Sequence, residues 1–445
     1  MDHPRNEAHQ PLASRAAMAS EKRPLRVLHG VTGAAGQPWI ISRAQRRLGL
    51  EADCVSVSDS KYAYGYDVAL DPGSDPQRAY SQFLAEAIPR YDVFHFYFRP
   101  FFFFDSRKLF FPTGLDLLLL RAAGKVVIVH YRGSEVRSPT KFKELSPYHY
   151  VDENPQNLVS KFPEATVEAL KRYIRGVSHD ILVPDPELQG YVEGSEIVAR
   201  GICLAEWAAV GVPDEDEPLV VHAPSRRAVK GTDAVMQAVE TLRAEGLRFR
   251  FQLVEGLPNH EAREVYRRAS IVVDQLRIGW YGVLSVEAMA LGKAVLAYVR
   301  DDLAHHLPEP RPLAIANPDT VTDVLRRLIA DKPARIALGE RARRYCEAVH
   351  DADKIAAELA QRYQRCLESG ASIDAGACLD YLLVQRDHTR GLYKKLVPPT
   401  DAGSSAFWKY LNLVEQEGVV SASVQAARKV ASALRDKISS RWSVL

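Results

Sequence analysis

Short apolar runs alternate with amphipathic stretches through most of the chain. RVLHGV (Arg26–Val31), DCVSV (Asp53–Val57) and YDVFHFYF (Tyr91–Phe98) read as strands, as does the apolar part of Lys125–Arg137. Asp180–Val183 is a further strand, brought to an end by Pro184 and Pro186. A second set follows at Leu219–His222, Phe249–Gly256, Ser270–Leu276 and Ala294–Tyr298. Helical stretches fall between them: Pro38 to about Leu48, a polar region over about Lys141–Arg175, one from about Thr232, His260–Ala269, and a short one after Gly282. Helices near Thr320–Ala330, Ala334–His350 and Asp351–Glu368 complete the second set. Strand, Gly-rich loop, helix, strand is the opening of a doubly wound α/β domain. The pattern predicts two such domains, 23–205 and 206–368, with the acidic, Pro-bounded VPDEDEP (Val212–Pro218) as the linker. Residues 1–22 read as disordered and 369–445 as a helical extension.

Composition adds limits. A chain of 445 residues with 47% apolar content can build two sizeable cores, and a net charge of +2 gives no electrostatic footprint for nucleic acid. Cys54, Cys203, Cys346, Cys366 and Cys378 are scattered without metal-like spacing and read as reduced thiols. The polar start MDHPRNEAHQPLASRAAMAS lacks the apolar centre of a signal peptide, and the longest apolar run, Leu115–Val129, is cut by Asp116, Arg121 and Lys125. The expectation is a cytoplasmic protein with two routes to peripheral contact at the inner membrane face. One is the Phe-rich segment Arg99–Gly114. The other is the tail stripe Val420, Val424, Ala427, Ala431, Leu434, Ile438 and Trp442, accompanied by Arg428, Lys429, Arg435, Lys437 and Arg441. Packing within the protein is the competing reading for both, and for the tail docking on a second subunit as well.

The chemistry concentrates in IGWYGVLSVEAMALGK (Ile278–Lys293). Gly279 and Gly282 permit a close backbone approach just before a helix opened by Val283, whose first-turn amides would form an anion site. At helical spacing Glu287 shares a face with Val283, Ala290 and Leu291, so its half-buried carboxylate needs a partner, either sugar hydroxyls or a nearby Lys or Arg. The loop after Leu219–His222 carries Arg226, Arg227 and Lys230 ahead of a helix, which fits a diphosphate clamp or, alternatively, a solvated basic loop. In the first half, His130 ends a strand and leads into Arg132, Gly133, Ser134 and Glu135, while His95 lies late in Tyr91–Phe98. Ligands of open α/β sheets sit beyond such strand ends. Gly36, in TGAAGQ (Thr32–Gln37), belongs to the same edge, with a structural turn as the competing reading. Asp274 and Gln275 end a strand there too and are weaker candidates for binding. No group of residues has metal-ligand spacing.

The segment from Gly279 to Val295 resembles the Glu–seven residues–Glu motif, EGFGLxxLEAMAxGxPV, of the GT-B retaining glycosyltransferases, the large nucleotide-sugar-dependent group similar to glycosyltransferase family 4. The match runs through Tyr281, Gly282, Glu287-Ala288-Met289-Ala290, Gly292 and Val295; the first Glu of the pattern falls on Gly279 and is absent. Lys230-Gly231 resembles the Lys-Gly of that group's phosphate loop, with Arg226 or Arg227 beside it. His130 matches a His near the donor sugar, with Glu135 for the usual Asp, and Arg200-Gly201-Ile202 matches the interdomain crossover. The resemblance covers about Arg26–Glu368.

The resemblance implies a GT-B protein: two Rossmann-like domains facing a cleft, acceptor domain first and donor domain second. The implied activity is a retaining, metal-independent, hexosyltransferase-like transfer from a nucleotide-diphosphate sugar to a glycan or lipid-linked acceptor, as in polysaccharide biosynthesis. No cofactor beyond that co-substrate is expected. Glu287 would hold the ribose, Val283, Gly282, Lys230 and Arg226 or Arg227 the diphosphate, and His130 the sugar; Gly36, His95, Arg132 and Glu135 would face the cleft or the acceptor. The alternative is a non-catalytic scaffold of the same fold that binds a sugar nucleotide or glycan, a reading favoured by Gly279.

Overall fold

A computed structural model of the chain describes residues 23–31, 34–57, 64–71, 76–97, 114–153 and 164–396. The expectations for residues 1–22, for most of the Phe-rich segment and for the apolar stripe of the tail lie outside the described residues.

The first sheet is wholly parallel and runs in the order β3-β2-β1-β4-β5-β6-β7. Its strands are β1 (Arg26–Gly30), β2 (Glu51–Ser56), β3 (Val68–Ala69), β4 (Val93–Tyr97), β5 (Val126–His130), β6 (Asp180–Val183) and β7 (Glu196–Ile197). The central strands β4 and β5 are buried at every position, as a sheet covered on both faces requires. The chain winds outward to β3, then returns to pair β4 with β1, so the winding direction reverses between β1 and β4. That reversal opens a crevice at the strand ends.

The second sheet repeats the plan in the order β12-β11-β10-β8-β9. Its strands are β8 (Leu219–His222), β9 (Arg250–Leu253), β10 (Ile271–Val273), β11 (Ala294–Ala297) and β12 (Ala314–Ile315). Here the reversal falls between β8 and β10. The loops that leave those two strands carry Arg226 to Lys230 and Asp274 to Gly282, so topology alone brings the two candidate segments to one crevice.

Six helices matter below: α1 (Gln37–Arg47), α2 (Thr232–Ala244), α3 (Asn259–Arg268), α4 (Val283–Ala290), α5 (Lys332–Val349) and α6 (Ala352–Ser369). One assignment from sequence is corrected. The helix at Asp351–Glu368 does not finish the second domain. Its Ile355, Leu359 and Tyr363 pack with Val27, Ile41, Val93, Val126 and Ile128 in the core of the first sheet. Arg362 ties it to Asp180 (2.7 Å) and Glu196 (2.8 Å) on that sheet. A helix that ends one domain in sequence thus covers the other in space. The region read as helical over Lys141–Arg175 is also resolved into separate helices, Pro139–Leu145 and Glu164–Val177.

The two chain crossings between the sheets run side by side. Ile202 N donates to His350 O (2.8 Å) and Ala352 N to Ile202 O (3.1 Å). Gln37 and Gly201 exchange a reciprocal pair of hydrogen bonds (3.0 and 2.7 Å), fixing the start of α1 to the first crossing. The described part of the C-terminal region ends in one long helix, Ala375–Leu396. Among the described residues no helix is long and apolar enough to cross a membrane.

Candidate functional site

Asp274, just past the end of β10, organises the second-domain side of the crevice. The side chain is fully buried, and each carboxylate oxygen has its own work. Oδ1 accepts from Lys230 Nζ (2.8 Å); Oδ2 accepts from Gly282 N (2.8 Å), Ser285 N (3.3 Å) and Ser285 Oγ (2.7 Å). Burial alone would raise the pKa of this acid. The Lys230 ammonium and these hydrogen bonds outweigh it and hold Asp274 below the ordinary carboxylate value. Gly282 is required by this approach, because a Cβ there would lie 2.9 Å from Oδ2 and 3.0 Å from Gln275 Oε1. The loop, the α4 start and Lys230 are therefore locked as one unit.

This corrects the expectation that the whole first turn of α4 is free for an anion. Asp274 already takes the Gly282 and Ser285 amides. The Val283 and Leu284 amides, in the first turn, have no partner inside the helix, and both residues line the crevice.

The choice left open between Arg226 and Arg227 is decided by backbone direction. Arg226 is extended (φ −151°, ψ 120°) and lines the crevice, with no ion pair among the described residues. Arg227, the first residue of the next short helix, points to the surface and pairs with Glu255 (2.9 and 2.6 Å). Arg227 does not line the cavity. Arg226→Ala is expected to weaken the binding of a nucleoside diphosphate ~10-fold or more, since a hydrogen bond to a charged group contributes ~1.5–3 kcal/mol. Arg227→Ala should leave it unchanged, and calorimetric titration of the two variants reads the difference directly.

The crevice between the sheets holds a cavity of about 660 Å³. Arg132, Arg137, Arg200, Arg226 and Lys230 line it, against only Glu255 and Glu287. Three of the cations are already paired with acids outside the lining: Arg137 with Glu187 (2.7 Å), Arg200 with Asp185 (2.7 Å) and Lys230 with Asp274. Arg132 and Arg226 have no ion pair among the described residues.

Glu287 lies on α4 facing this cavity, as its spacing predicted, and is only 9% exposed. Among the described residues no Lys or Arg forms an ion pair with it, Arg263 and Lys230 acting only from a distance; its Oε1 accepts from Asn259 Nδ2 of α3 (2.9 Å). Burial pushes its carboxyl up to about 7, with Asn259 opposing and Asp274 adding to the rise. An acid left with one neutral donor is under-partnered, and a pair of ligand hydroxyls would complete it.

In the first domain the candidates divide. His130 and Arg132 border the crevice, the histidine with its ring mostly enclosed. Burial, and then the Arg200 and Arg132 cations, push the His130 pKa down to about 3, so the imidazole is neutral at physiological pH. Gly36, in the left-handed region at φ +76°, turns the chain into α1 against Tyr64 and borders a smaller neighbouring cavity. Glu135 is spent on its own loop, accepting from the backbone amides of Arg132 and Gly133 (3.0 Å for the latter). His95 is corrected outright. It is fully enclosed, stacked on Tyr97 at 4.7 Å between ring centroids, and bonded through Nδ1 to Tyr363 OH of α6 (2.5 Å). It supports the strand ends and does not reach the cavity.

Gly279 marks where the sequence departs from the motif it resembles. The volume that a side chain would fill there is occupied: a Cβ on Gly279 would meet Arg300 Cγ at 2.6 Å and Cδ at 2.7 Å. Asp274 is only a weaker donor candidate from sequence, and nothing there points to Arg137 or Asn259. Their roles come from long-range packing, for which the sequence carries no local signal.

A protein-family model described as glycosyl transferase-like matches residues 228–361, the part of the chain that carries Lys230, Asn259, Asp274 and Glu287. No curated protein matches. Among solved structures, a sucrose-phosphate synthase from Thermosynechococcus elongatus aligns with TM-score 0.55 at 17% identity, over 78% of this chain and 100% of that one. The catalytic domain of starch synthase IV from Arabidopsis thaliana, bound to ADP and acarbose, aligns with TM-score 0.51 at 11% identity, over 78% and 100%. Anabaena HepE in complex with UDP-glucose aligns with TM-score 0.50 at 12% identity, over 76% and 99%. The chain shares their architecture of two Rossmann-like domains, the GT-B fold.

Proposed function

We propose that the chain is a glycosyltransferase that moves a sugar from a nucleoside-diphosphate sugar to a glycan or lipid-linked acceptor. The observation that carries this reading is one cavity with two kinds of recognition on a locked frame. Arg226, Lys230 and the Val283 and Leu284 amides converge as donors for a diphosphate, and Glu287 stands beside them as an acceptor for ribose hydroxyls. The family model over residues 228–361 and the fold shared with sugar-nucleotide-bound structures support it.

Charge develops on the leaving diphosphate as the glycosidic bond breaks. Preorganised cations and amides that meet this charge lower the barrier without reorganising, and they are the largest source of acceleration in many enzymes. The same cations take the place a divalent metal fills elsewhere, so transfer is metal-independent in this reading. Retention of the anomeric configuration follows from the resemblance of Tyr281–Val295 to the motif. His130, neutral beside the cavity, serves the sugar as a hydrogen-bond partner. The two domains exclude water from the crevice, favouring transfer over hydrolysis.

A scaffold that binds a sugar nucleotide without turnover is the second reading, favoured by Arg300 filling the place of the missing acid over Gly279. Turnover separates the two. Release of nucleoside diphosphate from a panel of nucleotide sugars and acceptors, undiminished by EDTA, with the product anomer matching the donor by NMR, is the expected result. Binding without any release, across the panel, would favour the scaffold.

A further inference from the structure

A second chamber, about 400 Å³, shares Arg132, Ser134, Arg200 and Arg226 with the main cavity. Its inner wall is Tyr97 and His130, from the ends of β4 and β5, which the main cavity lacks. Lys230, Gly282 and Glu287 do not line it. It therefore adjoins the diphosphate clamp, sharing Arg226 and Val283 with it, and extends towards the first sheet, where the non-nucleotide part of a donor and its acceptor would meet.

Its polar groups are left incomplete. Tyr97 OH, His130 Nδ1 and Arg132 Nε are buried atoms with no hydrogen-bond partner among the described residues. Tyr97 and His130 are 2% and 7% exposed, so bulk water does little for them. Orphaned buried polar atoms are uncommon and costly, and a bound group that supplies acceptors removes the cost. The chamber is also unbalanced in charge. Arg132 forms no ion pair among the described residues; the chamber's own acid, Glu135, opposes its charge only from a distance while accepting from backbone amides, and Arg226 already serves the diphosphate. Hydroxyls of a neutral sugar could satisfy the orphaned atoms but not the charge. A buried guanidinium with a phenol and a neutral imidazole beside it suits an oxyanion.

We propose that this chamber is a subsite for an anionic group, a carboxylate or a phosphate, carried by the transferred sugar or by the acceptor. The assignment rests on reading the main cavity as the nucleotide-sugar site.

The test is calorimetric titration of the full chain with matched probes. In the donor arm a hexosyl nucleotide is compared with the corresponding hexuronosyl nucleotide. In the acceptor arm, with nucleoside diphosphate saturating, glucose is compared with glucose 6-phosphate. A preference of ~10-fold or more for the charged member in either arm is expected, from one charge-assisted contact, and the arm that shows it names the source. Arg132→Gln should abolish the preference. Tyr97→Phe, which keeps the ring in its stack and removes only the hydroxyl, should reduce it, and this second variant guards against a loss of folding in the first. Nucleoside diphosphate binding with equal affinity for charged and neutral probes in both arms would overturn the subsite alone, as would a preference that survives Arg132→Gln. Failure of every nucleoside diphosphate to bind would overturn the underlying reading and the subsite with it.

Discussion

Lys230→Ala is expected to cost both stability and activity, and by more than any other single change in the site. Its ammonium is the only cation bonded to the buried Asp274 carboxylate among the described residues. Removing one partner of a buried pair leaves an uncompensated charge, a loss of ~3–5 kcal/mol. Asp274 would then rise in pKa and take up a proton, loosening its hold on the Gly282 and Ser285 amides that set the start of α4. The clamp would lose a cation and its alignment together, and transfer should fall ~10²–10³-fold, the scale seen when one preorganised donor is lost. Thermal melting and single-turnover rates measure the two effects. A variant that melts and turns over like wild type would show that Asp274 is held by its other hydrogen bonds, and that Lys230 does not face the diphosphate.

Glu287→Gln should separate stability from binding. The carboxyl titrates at about 7 in the folded protein, against an ordinary value of 4.5. Below the lower value both folded and unfolded chains are protonated, and the group costs nothing. Between the two the folded chain keeps a proton that the unfolded chain has lost, so stability falls as pH rises. Above about 7 the burial cost is fully felt, on the order of 3 kcal/mol. The amide carries no such cost. Glu287→Gln should therefore match wild type near pH 4 and exceed it increasingly towards pH 8, as followed by melting temperature. Ligand affinity should move the other way. In the proposed role the ionised carboxylate would accept from both ribose hydroxyls, so wild-type affinity should rise as pH passes through about 7. The Gln variant should bind ~10–100-fold more weakly at pH 8 and lose that pH dependence. Equal affinities for the two proteins at pH 8 would remove Glu287 from the site.

The fold was legible because parallel strands covered on both faces are written as continuous apolar runs. LVVH at Leu219–His222 and AVLA at Ala294–Ala297 could hardly be anything else between helical stretches. The α4 face with Glu287 was legible for a related reason, since helical spacing fixes which residues share a side. What was not legible depended on contacts distant in sequence. His130 ends β5 level with Tyr97, whereas His95 sits two residues deeper in β4, level with Ile128 and bonded to Tyr363 of α6, a difference of register that the sequence does not carry. Arg226 and Arg227 are adjacent and alike in charge, and the onset of a helical turn alone sends one inward and the other to Glu255. Asp274 reads as one more polar strand end. Its burial beneath Lys230 and Gly282 makes it the residue that holds the clamp in register.

The central claim, that the crevice is built for a nucleoside-diphosphate sugar, is tested most directly by calorimetric titration of the purified chain with the common nucleoside diphosphates and their sugars. The expected result is saturable binding of one base series, weakened in Arg226→Ala and Glu287→Ala and untouched in Arg227→Ala. A folded protein that binds no member of the panel, or binds one equally well in all three variants, would contradict it.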